Sequence, residues 1–397
     1  MGMKKRGRPE VGVEVENPSA NLGPEQMVRL TAAKGVVNAS MRWVPFFFVT
    51  LESAFDSSTT TLAAILGIGE MAGLSTLLVG KRLDEGGERT VMVASLVSVA
   101  ISGVVALQGS IVFFAISFVF LMLGAAHITV SGHAWISARA PYDRRARFIG
   151  VFETSWAFGL LIGAPVMALL IGWLGWRGPF VAVAISATIG AVMLSRMVDT
   201  PRLAMVSEDV AQVSGFTARA WLLIGASVAV AVAGLTTIVI VGTWLNDALG
   251  VSTGGIGLVA MAFGAAELTA SSTSAAFADR IGKRRSTQAA LSFVLIGLAI
   301  MSVADASLLI GGLGLVLFFL GFEYGIVTSF SLVSEAMPAA RGRTLATNNA
   351  LGTVARGAGA IAAGFLYDRY GIDGPIVLSA IAAVVAFVLL FIAGHLR

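Results

Sequence analysis

Eight ionisable side chains interrupt runs that are otherwise apolar: Arg42, Glu52, Glu70, His127, Glu153, Glu267, Glu323 and Arg356. Each run is about 20 residues long, enough for a helix to cross a hydrocarbon core of roughly 30 Å. A charge at that depth is costly and marks a functional group unless a neighbour neutralises it. The chemistry open to such a set is ion pairing, proton exchange on carboxylates, and capture of a charged solute. Helical spacing sorts the residues into polar stripes: Asn38, Arg42, Glu52 and Asp56 in one; His127 and Ser131 in another; Tyr324, Thr328 and Ser331; Glu267, Ser271 and Ser274; Asn349, Thr353 and Arg356. Polar stripes on apolar helices imply a water-filled cavity, to which Trp156, Tyr324 and Phe330 add aromatic surface. Bland roles compete. Arg42 is some six residues inside a helix end and could snorkel, Glu52 sits near a helix end, and Glu153 could pair with the cluster Arg144–Arg147. Arg356, about eleven residues into its helix, cannot shed its proton and needs an anion. Glu323 and Glu267, in the same half of the chain, are its expected partners.

The elements that must hold these residues are membrane helices. The chain has 397 residues, 56% hydrophobic and 13% charged, with mean hydropathy +0.86. A soluble domain carries about 25% charged residues. Twelve spans are predicted near 36–55, 59–80, 90–108, 111–138, 148–171, 178–196, 219–245, 254–277, 286–304, 307–335, 345–366 and 374–394. Residues 1–34 read as an N-terminal tail, with a short amphipathic segment near 24–34. Residues 35–196 form a first six-helix bundle, 197–218 a linker, and 219–397 a second bundle. Landmarks recur between the halves: His127 and Tyr324 are 197 residues apart, and Gly178-Pro179 and Gly374-Pro375 are 196 apart. Such a period points to a duplicated bundle.

Charge placement sets the orientation. Of 27 Lys and Arg, 23 fall in the tails and loops on the N-terminal side, which predicts both termini in the cytoplasm of a multi-pass protein of the cell membrane. The same distribution accounts for a net charge of +4 and a pI near 9.7 without a nucleic-acid partner. There is no cysteine and only three histidines, so no metal motif is expected. With no phosphate loop and no nucleophile elbow, the sequence predicts neither an enzyme nor direct use of ATP.

A charged, glycine-bearing turn occurs twice, at Gly80-Lys81-Arg82-Leu83-Asp84-Glu85-Gly86-Gly87-Glu88-Arg89 and at Ala275 to Arg285, its aspartates Asp84 and Asp279 being 195 residues apart. The pattern Gly-x-x-x-Asp-Arg-x-Gly-Arg/Lys-Arg resembles that of the major facilitator superfamily of transporters. The second copy departs at Ala275; the first has Glu85 and Glu88 in place of basic residues. The resemblance implies two pseudo-symmetric bundles, alternating access and a monomer binding a small-molecule substrate within lipid. It gives Gly80, Asp84, Arg89, Asp279 and Arg280 the part of a conformational latch. Gly150, Gly159 and Gly163, followed by Pro165, resemble the antiporter motif of drug-efflux members. Phe120 replaces their helix-4 arginine, which leaves a buried glutamate to carry any proton. The expectation is proton-coupled efflux of amphipathic compounds with no cofactor, bound or coupled through Arg42, Glu70, His127, Glu153, Trp156, Glu267, Glu323, Tyr324 and Arg356. An organic-anion carrier clamping a carboxylate or phosphate between Arg42 and Arg356 is the alternative, and a non-transporting sensor or assembly factor is another.

Overall fold

The computed structural model describes residues 22–197, 215–304, 307–337 and 340–396, without the side chains of Tyr142, Asp143, Ala146, Ala275, Ala276, Asp279 and Arg341. The described residues form twelve helical crossings and no strand. α1 is made of Pro24–Arg42, a 3-10 stretch Val44–Phe47 and Phe48–Phe55; α2 of Thr59–Glu70, a 3-10 stretch Met71–Ser75 and Thr76–Asp84. α3 is Glu88–Ala106 and α4 is Ile111–Arg139. α5 comprises Tyr142–Phe158, a π turn Gly159–Gly163 and Ala164–Leu174, and α6 is Arg177–Ser195. The second set is α7 (Ala218–Asp247), α8 (Thr253–Ile281), α9 (Lys283–Met301), α10 (Leu308–Ala336), α11 (Arg341–Tyr370) and α12 (Asp373–Ala393). Ten of these are long and apolar enough to span a membrane. The other two are α1, broken at Val44–Phe47, and α9, which opens on Lys283, Arg284 and Arg285. An even number of crossings puts both ends on one face, called here the terminal face.

Local chemistry sets the helix starts. Ser58, Ser110, Ser252 and Ser307 each accept a bond from a backbone N–H of the first turn, at Thr61, Phe113, Gly255 and Ile310. These hydroxyls satisfy donors that the helix leaves free. In the repeated turns the left-handed residue is Gly86 in one copy and Gly282 in the other, both at φ 91°, a conformation glycine reaches without strain. α1 starts twelve residues before the predicted span at 36, because Met27, Leu30, Ala33 and even Lys34 are buried. Hydropathy reads Lys34 as surface. In the fold its ammonium lies 2.5 Å from Glu153 and 4.5 Å from the centre of the Phe152 ring.

The two halves repeat one packing scheme. α3 lies on α4 and α6 while α1 lies on α4, α5 and α6; likewise α9 lies on α10 and α12 while α7 lies on α10, α11 and α12. The halves meet along α1–α7, α2–α11 and α5–α8. Close approach occurs toward the face away from the termini. A Cβ on Gly364 would fall 2.5 Å from that of Ala63, one on Gly67 2.4 Å from the carbonyl oxygen of Gly357, and one on Gly257 2.7 Å from Ala168. Asp368 of α11 accepts from the backbone N–H and the hydroxyl of Thr60 at the start of α2. The terminal-face ends of α2 and α8 instead leave Leu77, Leu78, Phe277 and Ile281 exposed. The close contacts across the seam therefore gather toward the far face.

Candidate functional site

Among the described residues, two ion pairs cross the seam. Arg42 of α1 donates through Nη1 to Glu267 of α8 at 2.7 Å and to the carbonyl of Trp156 at 2.7 Å, and its guanidinium lies 4.4 Å from the centre of the Trp156 ring. Arg356 of α11 donates through Nε and Nη2 to Glu70 of α2 at 3.2 and 3.1 Å, with Thr353 Oγ1 a further 3.3 Å contact. Glu70 and Glu267 are 197 residues apart, the offset of the internal repeat. The acids are thus duplicated, but their cations are not. The position matching Arg356 in the first half is Gly159, in the π turn of α5. A Cβ there would lie 3.1 Å from Asn38, so the glycine lets α1 come close. One turn further on, α1 supplies Arg42 where an arginine of α5 would otherwise stand. π turns gather at functional sites in helices.

The partner of Arg356 corrects the expectation from sequence. Neither Glu323 nor Glu267 holds it. Gly67 and Gly357 allow α2 and α11 to touch, and Glu70, three residues beyond Gly67, meets Arg356 from the other half. Glu267 is already bound by Arg42. Helical periodicity ranks residues on one helix and carries no information about which faces meet across a seam.

Glu323 of α10 is buried, and it stands near Glu267 because Phe319 and Phe263, each four residues before one of the two acids, stack ring on ring. Among the described residues it has no hydrogen-bond or ion-pair partner. Two carboxylates and one guanidinium therefore share an interior site, one positive charge short of neutral. In a medium of low polarity that deficit is expensive, and a bound proton or cation removes it.

The remaining residues fall into four groups. His127 Nε2 is 2.9 Å from Ser75 Oγ and ties α4 to the 3-10 stretch of α2. Glu153 sits between Lys34 and His133, at 2.5 and 2.6 Å, inside the first half and away from the expected Arg144–Arg147 cluster. Tyr324 lines a groove of about 360 Å³ between α8, α9 and α10 with Thr273, Phe277 and Phe293. Of the latch residues, Arg89 donates to the carbonyls of Leu194 and Ser195 at the C-terminal end of α6, where carbonyls lack helical partners. Asp84 and Arg280 are exposed in the last turns of α2 and α8, and a Cβ on Gly80 would meet nothing within 4 Å. The side chain of Asp279 lies outside the described residues. Glu88, the acid that replaces a basic residue in the first turn, pairs with buried Arg139 at 3.4 Å and ties α3 to α4. Lys34 escaped sequence reading because only its partner reveals its role.

A profile of the Major Facilitator Superfamily matches residues 33–329 and again 222–395. The chain belongs to that family, whose members are secondary transporters and not enzymes. It is 25% identical over 352 residues to an uncharacterized MFS-type transporter, YwfA, of Bacillus subtilis (strain 168), covering 85% of this chain and 84% of that one. Among solved structures it is similar to a bacterial homolog of the human lysosomal transporter Spinster in an inward-facing, unoccupied conformation, with TM-score 0.74, 15% identity and coverage of 92% and 94% of the two chains. It is likewise similar to a D-xylose-proton symporter, with TM-score 0.73, 17% identity and coverage of 91% and 97%. At these identities the likeness shows the fold, two six-helix bundles built from twelve helices.

Proposed function

We propose that the chain exports small amphipathic organic molecules in exchange for protons, from a cavity that opens on the terminal face. The observation that carries this reading is the Arg42–Glu267 pair, which crosses the seam that alternating access must open, with the buried carboxyl of Glu323 as an excess acid near it. Taking up a proton there neutralises the group, and losing it restores the deficit, so the charge state is tied to whether the two halves touch at Arg42 and Glu267. The glycine run with Pro165 in α5, used here to seat α1 at Gly159 and Gly163, supports the outward direction through its resemblance to the antiporter motif. The distribution of Lys and Arg supports termini in the cytoplasm, a domain division at 197–218, and a cavity that faces inward in this conformation. Clamping of an organic anion by Arg42 and Arg356 is the weaker reading, because each arginine already holds a glutamate.

The test uses proteoliposomes with an imposed pH gradient and a fluorescent amphipathic amine as probe. Movement of the probe against its own gradient, abolished by a protonophore, is expected. Movement that ignores the protonophore would remove the proton from the reading.

A further inference from the structure

A second layer of residues follows the charged one. Phe46 lies four residues beyond Arg42 on α1, Phe263 four residues before Glu267 on α8, and Phe319 four residues before Glu323 on α10. α1 runs away from the terminal face, whereas α8 and α10 run toward it. All three rings therefore stand one helical turn on the same side of the charged group, the side facing away from the termini. They also touch. The Phe46 and Phe263 ring centres are 5.7 Å apart at 57°, and those of Phe263 and Phe319 are 3.5 Å apart and stacked at 16°. Each ring is at most 2% exposed. Phe46 comes from the first half and the other two from the second, so the layer bridges the seam.

We infer that Phe46, Phe263 and Phe319 form the barrier that seals the transport path toward the far face, and that parting Phe46 from Phe263 opens it. The rings carry no group that could solvate a charge, so a proton or ammonium cannot pass while they are in contact. The backbone offers the means of parting them. Phe46 lies in the 3-10 break Val44–Phe47, next to Pro45, where α1 is not a continuous helix. At the same level Gly242 of α7 abuts α1 so closely that a Cβ would lie 2.0 Å from the Phe46 carbonyl oxygen. The seam is thus shut by backbone contact beside the rings as well as by the rings themselves. The inference rests on the chain being an alternating-access transporter and not on its direction or its coupling ion.

The test exploits the absence of cysteine. Trp156→Cys places one thiol beside Arg42, on the terminal-face side of the layer. A membrane-impermeant, positively charged thiosulfonate is the probe, applied separately to each side of sealed vesicles. Rapid labelling is expected from the terminal face and slow labelling from the other. Adding Phe46→Ala or Phe263→Ala should raise the slow rate about tenfold and leave the fast rate within about twofold, since contact between rings is worth of the order of one factor of ten. Phe46→Leu and Phe263→Leu, which keep an apolar side chain and so protect folding, should raise it about threefold. Far-face rates equal to the parent in the leucine variants, or in alanine variants that elute as single species, would overturn the inference. The side of fast labelling reports orientation and the change in slow rate reports the barrier, so the two fail separately.

Discussion

Removing Arg356 gives the clearest energetic test of the seam. Its guanidinium meets Glu70 at 3.1 Å with the arginine side chain 27% and the glutamate side chain 14% exposed. At an effective dielectric constant of about 20 the Coulomb attraction at that distance is roughly 5 kcal/mol. Desolvation offsets much of it, and breaking a fully buried pair costs about 3–5 kcal/mol. Partial exposure of Arg356 brings the expected loss for Arg356→Ala to about 2 kcal/mol. Glu70→Ala/Arg356→Ala should recover about half of that loss, because no carboxylate is then left without its cation. Arg356→Lys should fold close to normally yet transport slowly, since an ammonium cannot make the two donations seen from Nε and Nη2. Unfolding of purified protein in detergent, followed by intrinsic fluorescence, reads the first two values. A double variant no more stable than Arg356→Ala would show that Glu70 does not depend on Arg356. Near-normal transport by both Arg356→Lys and Arg356→Gln would place the arginine outside the working site.

Three further outcomes are expected. Gly67→Leu should hold α2 away from Gly357 and raise far-face labelling of Trp156→Cys several-fold in the impermeant-probe assay, because even a Cβ would sit 2.4 Å from the Gly357 carbonyl; an unchanged rate would mean the α2–α11 contact does not govern closure. Asp84→Asn should slow transport while equilibrium binding of the probe changes less than about twofold, as expected if Asp84, at a helix end outside the cavity, acts as a latch by engaging the positive end of α11 when that side is closed; a large loss of binding would contradict that role. Tags at residue 205 and after residue 397 should report the cytoplasm and a tag near Asp247 the exterior; labelling of the 197–218 segment from outside intact cells would reverse the orientation.

Much of the frame was legible in the chain itself. The twelve helices follow from hydropathy, and the duplicated acids Glu70 and Glu267 show the repeat at the same 197-residue offset as His127 and Tyr324. Helix starts follow from serine caps such as Ser58 and Ser110. What the chain did not disclose is who meets whom across the seam. Arg356 has deep acids in its own half, yet glycines at 67 and 357 give it Glu70 instead. Lys34 lay beyond hydropathy because its burial depends on Glu153 and Phe152, more than a hundred residues away. The phenylalanine layer was hidden for a different reason. A phenylalanine on a membrane helix is ordinary, and the meaning of Phe46, Phe263 and Phe319 appears only once three helices place them together.

The most direct measurement of the central claim compares the parent with Glu323→Gln in proteoliposomes, with the pH gradient and the probe gradient imposed separately. Glutamine keeps the size and burial of the side chain but fixes its charge at zero. In the parent, a pH gradient should drive the amine uphill. In Glu323→Gln that response should fall at least about tenfold, while exchange of probe against probe, which needs no net proton movement, continues within about twofold. Full pH-driven transport by a correctly folded Glu323→Gln protein would contradict the account.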